Sequence, residues 1–286
     1  MRDRVTVLAP AKLNLALDVV GILPGGYHAL DMTMQAISLY ERVVIRRSPY
    51  LDLALPGSNV KPGPGNTAIK AALAFFHYTG LLAGADITIY KSVPVRAGMA
   101  GGSTDAASCM LALNDLYELG LSKRQLMKRG VRLGADIPYC ILKGTALSEG
   151  IGEKISTIPK MPDCYVLICK PGIHVSTGFV YTNLVLDENT PHPDIDYMIT
   201  CMKKKDLKTL CQNLGNVLET VTIPAHPEIA KIKETMMQEG ALGSLMSGSG
   251  PTVFGIFDDL DKAKAAKAVC RKLPFKCFAF VTDLYR

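Results

Sequence analysis

The sequence predicts an α+β protein of two lobes, and three features of its segment order support this. Runs with strand character fill the first third of the chain, around a turn at Pro24-Gly25-Gly26. A glycine-rich loop then leads into helical patterns. The second half closes in the order helix, strand, strand, helix, strand, which is typical of a ferredoxin-like antiparallel sheet with helices on one face.

We predict an N-terminal lobe of residues 1–157, with a mixed or antiparallel sheet and helices, and a ferredoxin-like C-terminal lobe of residues 158–286. The boundary is expected in residues 155–162, which contain two prolines. The predicted strands of the first lobe are residues 5–8, 13–20, 32–38, 42–47, 86–90 and 144–149. Those of the second lobe are residues 165–169, 242–246, 252–257 and 277–282.

Capping residues mark two helix starts. Asn66 is a predicted N-cap for a helix that runs through Phe76. Ser122 and Gln125 have the spacing of a capping box. The other helical patterns cover residues 104–116, 206–219, 227–239 and 260–272.

The composition is that of an ordinary folded protein. The 286 residues are 48% hydrophobic and 20% charged, without a low-complexity tract. Lys and Arg exceed Asp and Glu by 32 − 26 = 6, which favours anionic partners without choosing among them. The basic run 203–205 is interpreted as a solvated helix start or loop, and we predict no nucleic-acid partner.

The cysteines and the apolar segments favour a cytoplasmic protein. The eight cysteines include no CxxC pair and have no histidine at metal-ligand spacing, so we predict free thiols. The first residues lack the pattern of a signal peptide. The longest uncharged stretch, residues 240–257, is rich in Gly, Ser and Pro and is a poor candidate for a membrane span.

The segment with the clearest chemistry is the glycine loop at residues 94–107, between a predicted strand and a predicted helix. Glycines let backbone N–H groups approach an anion closely, and a helix N-terminus adds unpaired N–H groups and the positive end of its dipole. The loop therefore predicts a phosphate site, and the alternative is a glycine-rich turn with a Ser/Thr cap. It is neither a Walker loop nor a dinucleotide fingerprint, and the HRD and DFG elements of protein kinases are absent.

Three further segments carry candidate site residues. Lys12 and Asn14 lie two apart on a predicted strand, so both side chains point to one face, which indicates a site unless that face is merely solvated. Asp136 sits among small and apolar residues, which suits a paired or functional carboxylate, or a cap on the turn before Pro138. Residues 246–252 form a second Gly/Ser loop, either a second wall of a phosphate site or a hairpin.

Taken together, these segments resemble the motifs of a known kinase superfamily. Residues 9–15, 94–107 and 247–252 are similar, in order and spacing, to the three motifs of the GHMP kinases (galactokinase, homoserine kinase, mevalonate kinase and phosphomevalonate kinase). Within it the chain resembles the 4-diphosphocytidyl-2-C-methyl-D-erythritol kinases, through residues 26–28, 134–138 and 170–177. The resemblance spans nearly the whole chain.

The resemblance implies a GHMP-kinase-like fold with ATP on the glycine loop, the substrate between the lobes, and Mg²⁺ as a cofactor. The implied reaction phosphorylates a hydroxyl of 4-diphosphocytidyl-2-C-methyl-D-erythritol, giving the 2-phosphate and ADP in the non-mevalonate isoprenoid pathway. Asp136 is implied as the catalytic base and Lys12 as its partner. The implied ATP-binding residues are Pro94, Val95, Arg96, Ala97, Gly98, Met99, Ala100, Gly101, Gly102, Ser103 and Thr104.

The same resemblance implies how a small-molecule substrate with a cytidine diphosphate group is held. Tyr27 and His28 would stack on and hydrogen-bond the cytosine, with Asn14 nearby and Thr177 and Tyr181 on the other side. The chain departs from the family at Met99-Ala100, Thr104 and Tyr181, where Leu, Gly or Ala, Ser and Phe are common. The hydroxyl of Thr104 and the ring of Tyr181 preserve the implied contacts.

Three other functions compete with this interpretation. A GHMP kinase for another acceptor is disfavoured by Tyr27 and His28, because homoserine and mevalonate have no base to stack upon. Lys12 and Asp136 disfavour a non-catalytic nucleotide-binding sensor. The lack of a basic strand interleaved with aromatic residues disfavours an RNA-binding protein. The oligomeric state and the magnesium ligands are left open.

Overall fold

The structure, a computed structural model, describes residues 2–286. Its strands are β1 (Arg4–Ile22), β2 (His28–Ser48), β3 (Leu51–Ala54), β4 (Gly84–Tyr90), β5 (Thr145–Gly150), β6 (Lys154–Thr157), β7 (Tyr165–Pro171), β8 (Gly215–Asn216), β9 (Gly243–Met246), β10 (Val253–Phe257) and β11 (Cys277–Asp283). Its helices are α1 (Thr67–Thr79), α2 (Gly101–Leu116), α3 (Lys123–Gly130), α4 (Ile137–Leu142), α5 (Thr177–Thr182), α6 (Ile195–Lys204), α7 (Leu207–Gln212), α8 (Glu219–Ala225), α9 (Pro227–Gln238) and α10 (Leu260–Cys270).

The chain forms two compact units, each built from separate stretches of sequence. Unit 1 comprises the chain up to Ala11 with Leu39–Val95 and Ala100–Lys143. Unit 2 comprises Lys12–Ser38, Arg96–Met99 and Gly144–Arg286. Both long strands, β1 and β2, contribute residues to both units. The predicted division into lobes at residue 157 stays a prediction.

Unit 1 combines part of a sheet with a helical layer. The end of β2 pairs antiparallel with β4, which in turn pairs parallel with β3. Helix α2 packs on α1 and α4, and α3 packs on α4. The core is made of residues such as Ile45, Phe75, Ile87 and Leu113, each 1% exposed or less, because one apolar face of each element points inward.

Unit 2 contains the ferredoxin-like sheet that the sequence predicts. Its order is β11-β7-β10-β9, and all neighbours are antiparallel. Helices α9 and α10 pack against it. In the same unit the first part of β2 pairs with β5, and β1 forms a short parallel pair with β8. The α+β class and the fold predicted for the chain are confirmed.

The local signals in the sequence located most of the elements. Asn66 caps α1 through a bond to the Ala68 N–H, and Ser122 and Gln125 form both bonds of the capping box of α3. The four strands predicted in residues 5–47 are two longer strands, β1 and β2.

Two predictions of local structure were wrong. Residues 206–219 are not one helix, because Asn216 leaves the helical path and bonds instead to the carbonyls of Met246 and Gly248. The long-range contact outweighs the local helical pattern there. The basic run 203–205 ends α6 rather than starting a helix, with Lys205 in the left-handed conformation of a C-cap.

The described residues also bear on two expectations about the whole chain. None of their helices is both long and apolar enough to cross a membrane. All eight cysteines are free thiols, and all but Cys277 are buried, as expected for cysteines that act as small apolar residues.

Candidate active site

The glycine loop follows β4 and ends in the first turn of α2, and its carbonyl oxygens are held in place. In unit 2, Ser247 Oγ donates to the Gly98 carbonyl at 3.0 Å and the Lys12 N–H donates to the Met99 carbonyl at 3.2 Å. In unit 1, Thr67 Oγ1 donates to the Gly102 carbonyl at 2.8 Å. The loop is therefore fixed from its carbonyl side.

The N–H groups of the same segment are left free. Among the described residues, those of residues 98–103 have no acceptor, and the Thr104 N–H is the first to bond back into the helix, to Ala100. Free N–H groups at a helix start, with the helix dipole behind them, bind anions. The loop has the features of a phosphate site, which the alternative of a simple capped turn does not explain.

Strained backbone shapes the loop. Arg96, Gly98 and Ala100 all have positive φ, at 51°, 70° and 56°. A Cβ on Gly98 would lie 2.2 Å from the Ser247 carbonyl oxygen, so only glycine fits there. Non-glycine residues with positive φ cluster at functional sites, where the surrounding structure enforces them.

The second Gly/Ser loop, residues 246–252, contacts the first within unit 2. Besides the bond from Ser247, a Cβ on Gly248 would lie 3.3 Å from the Gly98 carbonyl oxygen. Asn216 holds this second loop in place through its Nδ2, which donates to the Met246 and Gly248 carbonyls, both at 2.8 Å. The prediction of a second wall agrees with this contact, whereas no local signal in the sequence pointed to Asn216.

Lys12 is a buried cation that lacks an anionic partner. It is 5% exposed, and its Nζ donates to Asn14 Oδ1 at 2.6 Å. No carboxylate lies within ion-pair distance among the described residues. Because a buried charge without a counter-ion is costly, this arrangement suits a lysine whose partner is a bound anion. Asn14 is itself fully buried and bonds Met32 Sδ through Nδ2, so it orients Lys12.

Asp136 occupies the N-cap position of α4 in unit 1 without acting as a side-chain cap. Its carboxylate makes no capping hydrogen bond, although its backbone carbonyl accepts from the Cys140 N–H. It forms no other hydrogen bond or ion pair with the described residues, and its side chain is half-buried. The structural alternative, a cap on the turn before Pro138, therefore does not account for this carboxylate.

The candidates for base recognition lie in unit 2. The rings of His28 and Tyr181 are 5.0 Å apart between centroids, with a tilt of 41°. Thr177 Oγ1 bonds Ser249 Oγ at 2.8 Å, which connects α5 to the second loop. Tyr27 is 64% exposed and makes no ring contact with another described residue, so its face is open. The structure thus brings the rings of His28 and Tyr181 together. Tyr27 precedes His28 in the sequence and is not part of this ring pair.

A buried charge cluster lies at the start of α2, and no local pattern in the sequence predicted it. Lys91 Nζ lies 2.5 Å from Asp105 Oδ2 and 2.8 Å from Glu41 Oε1. Glu41 Oε2 also accepts from the Ser92 N–H at 2.5 Å. Asp105 Oδ1 has no hydrogen-bond partner. The Asp105 side chain thus faces Lys91.

Burial and charge act in opposite directions in this cluster. Burial raises the pKa of Asp105 to about 7, and the attraction of Lys91 only partly opposes it, while Glu41 adds to the rise. Burial alone would lower the pKa of Lys91, but the charges of Asp105 and Glu41 outweigh it and raise that pKa. Two carboxylates therefore compete for one cation.

Known proteins resemble this chain in sequence and in fold. The model of the GHMP kinases N terminal domain matches residues 66–144, and that of the GHMP kinases C terminal region matches residues 198–274. The chain is 46% identical to a 4-diphosphocytidyl-2-C-methyl-D-erythritol kinase of Lachnoclostridium phytofermentans, over 99% of this chain and 98% of the relative. It is 44% identical to the kinase of that name from Lachnospira eligens, over 94% of both. The chain belongs to the GHMP kinase family.

Solved structures agree with this membership. The crystal structure of a 4-(cytidine 5'-diphospho)-2C-methyl-D-erythritol kinase matches with a TM-score of 0.83 and 29% identity, covering 99% of this chain and 100% of the other. A homoserine kinase from Cytophaga hutchinsonii matches with a TM-score of 0.80 and 17% identity, over 99% and 96%, which shows the shared fold alone. This GHMP kinase is thus an ATP-dependent small-molecule kinase.

The donor groups of this GHMP kinase restrict how Mg²⁺ could bind. The part of the chain that the structure describes has no group of three or more His, Cys, Asp or Glu side chains able to hold a metal ion. Asp105 is committed to Lys91, and Thr104 is fully buried with its hydroxyl on the Pro10 carbonyl at 2.9 Å. The contact of Thr104 with phosphate or magnesium that the resemblance implied is thereby weakened. The set fits an ion carried mainly by nucleotide phosphates and water, the usual arrangement for Mg²⁺.

The first prediction concerns Asp105 and pH. Because its pKa is higher folded than unfolded, the folded state binds the extra proton, and stability falls as pH rises from about 4 through about 7. Asp105→Asn removes this titration. We expect the variant to lose less stability than the wild type between pH 5 and pH 8, with each kcal/mol changing Tm by about 2–4 °C. Parallel loss of Tm in both proteins would contradict it.

The second prediction tests the loop as the nucleotide site. Gly98→Ala forces a Cβ against the Ser247 carbonyl at positive φ, so the loop must shift and ATP affinity should fall by about tenfold or more. Gly80→Ala is the matched control, because Gly80 has φ 68° and open space around its Cβ position. Calorimetry would measure both. Equal ATP affinity in the two variants would place the phosphates elsewhere.

Proposed function

We propose that this kinase transfers the γ-phosphate of ATP to a hydroxyl of 4-diphosphocytidyl-2-C-methyl-D-erythritol, giving the 2-phosphate and ADP in the non-mevalonate isoprenoid pathway. The observation that carries the proposal is the glycine loop, with its carbonyls bonded and the N–H groups of residues 98–103 free. The names of the relatives at 46% and 44% identity support the choice of acceptor.

In the proposed mechanism the loop binds the phosphates of ATP through its backbone. Phosphoryl transfer needs positioning and neutralisation of charge more than covalent chemistry, and free N–H groups at a helix start supply both. Residues 94–104 are proposed as the ATP-binding segment. Mg²⁺, when bound with the nucleotide, would neutralise charge on the β- and γ-phosphates.

Asp136 is proposed as the general base. Its carboxylate lacks a structural partner among the described residues, so it is free to accept the proton of the substrate hydroxyl. The hydroxyl oxygen then forms the new bond to the γ-phosphorus, and the bond from phosphorus to the β-phosphate oxygen breaks to release ADP. Lys12, a buried cation oriented by Asn14, is proposed to neutralise charge on the transferred group.

The cytidine end of the substrate is proposed to bind to the aromatic residues of unit 2. His28 and Tyr181 already form a ring pair, and Tyr27 offers an open face for stacking. Thr177 adds a hydroxyl at the start of α5. Binding energy from the cytidine end would orient the reacting hydroxyl, which is remote from the cytosine ring.

The setting of the reaction is also proposed. Eight free thiols suit a reducing compartment, so we place the enzyme in the cytoplasm. Its partner is a small molecule, and the predictions of no nucleic-acid partner and no membrane association are kept.

The third prediction tests the base. Asp136→Asn keeps the size of the side chain but cannot accept the proton, so kcat should fall by about 10²–10⁴-fold while ATP still binds. Asp206→Asn is the control, since Asp206 is a helix N-cap whose carboxylate does bond a backbone N–H, that of Thr209. A coupled ADP-release assay measures turnover. A near-normal kcat in folded Asp136→Asn would exclude Asp136 as the general base.

The fourth prediction tests base recognition. The wild type should phosphorylate the cytidine-bearing substrate far better than methylerythritol phosphate, and Tyr27→Ala should reduce that ratio of kcat/KM values by about tenfold, as for a lost stacking contact. Tyr50→Ala is the control, because Tyr50 is also exposed and belongs to unit 1. Equal kcat/KM for both acceptors on the wild type would refute base recognition, and an unchanged ratio in the variant would exclude Tyr27.

A further inference from the structure

Lys91 stands between the two ends of the glycine loop. It directly follows β4, where the chain leaves the sheet, and its Nζ reaches Asp105 Oδ2 in the first turns of α2 at 2.5 Å. The same Nζ lies 2.8 Å from Glu41 Oε1 on β2. One ammonium group therefore joins the strand before the loop, the helix after it and the neighbouring strand.

Glu41 extends this connection to the backbone. Its Oε2 accepts from the Ser92 N–H at 2.5 Å, one residue beyond Lys91. A Cβ on Gly101 would lie 3.7 Å from Glu41 Oε1, so this carboxylate lies under the first residue of α2. The cluster thus supports the loop at its entry and at its exit, and all of these residues belong to unit 1.

We propose that Lys91 is a positioning residue for nucleotide binding: by pairing with Glu41 and Asp105 it fixes both ends of the glycine loop and sets the geometry of its free N–H groups. This inference rests on the proposed role of the loop as the ATP site. In this proposal Lys91 acts on the loop through its contacts with Glu41 and Asp105.

Stability alone does not explain the cluster. Buried ion pairs are seldom more stable than apolar packing of the same volume, and here Glu41 is fully buried while Asp105 Oδ1 has no partner. What directional bonds supply is a defined distance between elements. Small displacements of groups that hold a reactant have large effects, on the order of 100-fold for about 1 Å, so a fixed loop matters to affinity.

The test separates positioning from mere support of the core. Lys91→Gln removes the cation and leaves two buried carboxylates unpaired, whereas the double variant Lys91→Gln/Asp105→Asn leaves only Glu41 unpaired and should therefore destabilise the fold less. Lys91→Arg restores a cation that can bond two carboxylates. Arg47→Gln is the matched control. Arg47 lies on β2, as Glu41 does, and donates to the Leu116 carbonyl at the C-terminal end of α2, at 2.5 Å.

We expect the double variant to bind ATP about tenfold or more weakly, with Lys91→Arg recovering most of this loss and KM for the cytidine-bearing acceptor unchanged. Arg47→Gln should lower Tm and leave ATP affinity unchanged. If the double variant binds ATP with unchanged affinity while Gly98→Ala binds it more weakly, the proposed role of Lys91 is overturned but the proposed ATP site is not. Unchanged affinity in Gly98→Ala as well overturns the proposed ATP site itself, and this inference with it.

Discussion

Backbone N–H groups that are to bind an anion cannot also hold the loop in place, so the loop has to be held through its carbonyl groups. This constraint explains the contacts around the glycine loop. The loop offers few side chains to grip, so Ser247, Thr67 and the backbone of Lys12 hold its carbonyls. Each of these bonds uses a loop carbonyl as acceptor and leaves the loop N–H groups free. The side of the loop with free N–H groups, which we propose binds phosphate, is thereby separated from the side that is attached to the protein.

The charged residues show the same division between support and chemistry. Among the described residues, Lys12 is buried with no carboxylate at ion-pair distance and the Asp136 carboxylate makes no hydrogen bond or ion pair, so neither charge is paired within that part of the chain. Lys91 is the opposite case, with two carboxylates for one cation. Groups left unsatisfied in the resting protein are the ones that a bound reactant can complete, whereas the satisfied lysine can only hold structure in place.

Local signals made much of this predictable from the sequence. The glycine loop between strand and helix, the cap at Asn66 and the capping box at Ser122 depend on neighbours within a few residues, and the structure has them. The bonds of Asn216 to a loop about 30 residues later, and of Lys91 to a strand about 50 residues earlier, left no local pattern. Helix periodicity even predicted the wrong structure at Asn216, because tertiary contacts override propensity.

The choice of acceptor cannot be read from the fold. The same architecture, with a TM-score of 0.80, occurs in a homoserine kinase, whose acceptor has no base. In the proposed function the loop and its supports hold ATP, so discrimination between acceptors has to come from residues outside the loop. In unit 2 the ring pair of His28 and Tyr181 and the exposed face of Tyr27 are aromatic groups with polar edges. They suit a flat, hydrogen-bonding ligand and offer little to an aliphatic one, which supports the proposal that they select a nucleotide-bearing acceptor.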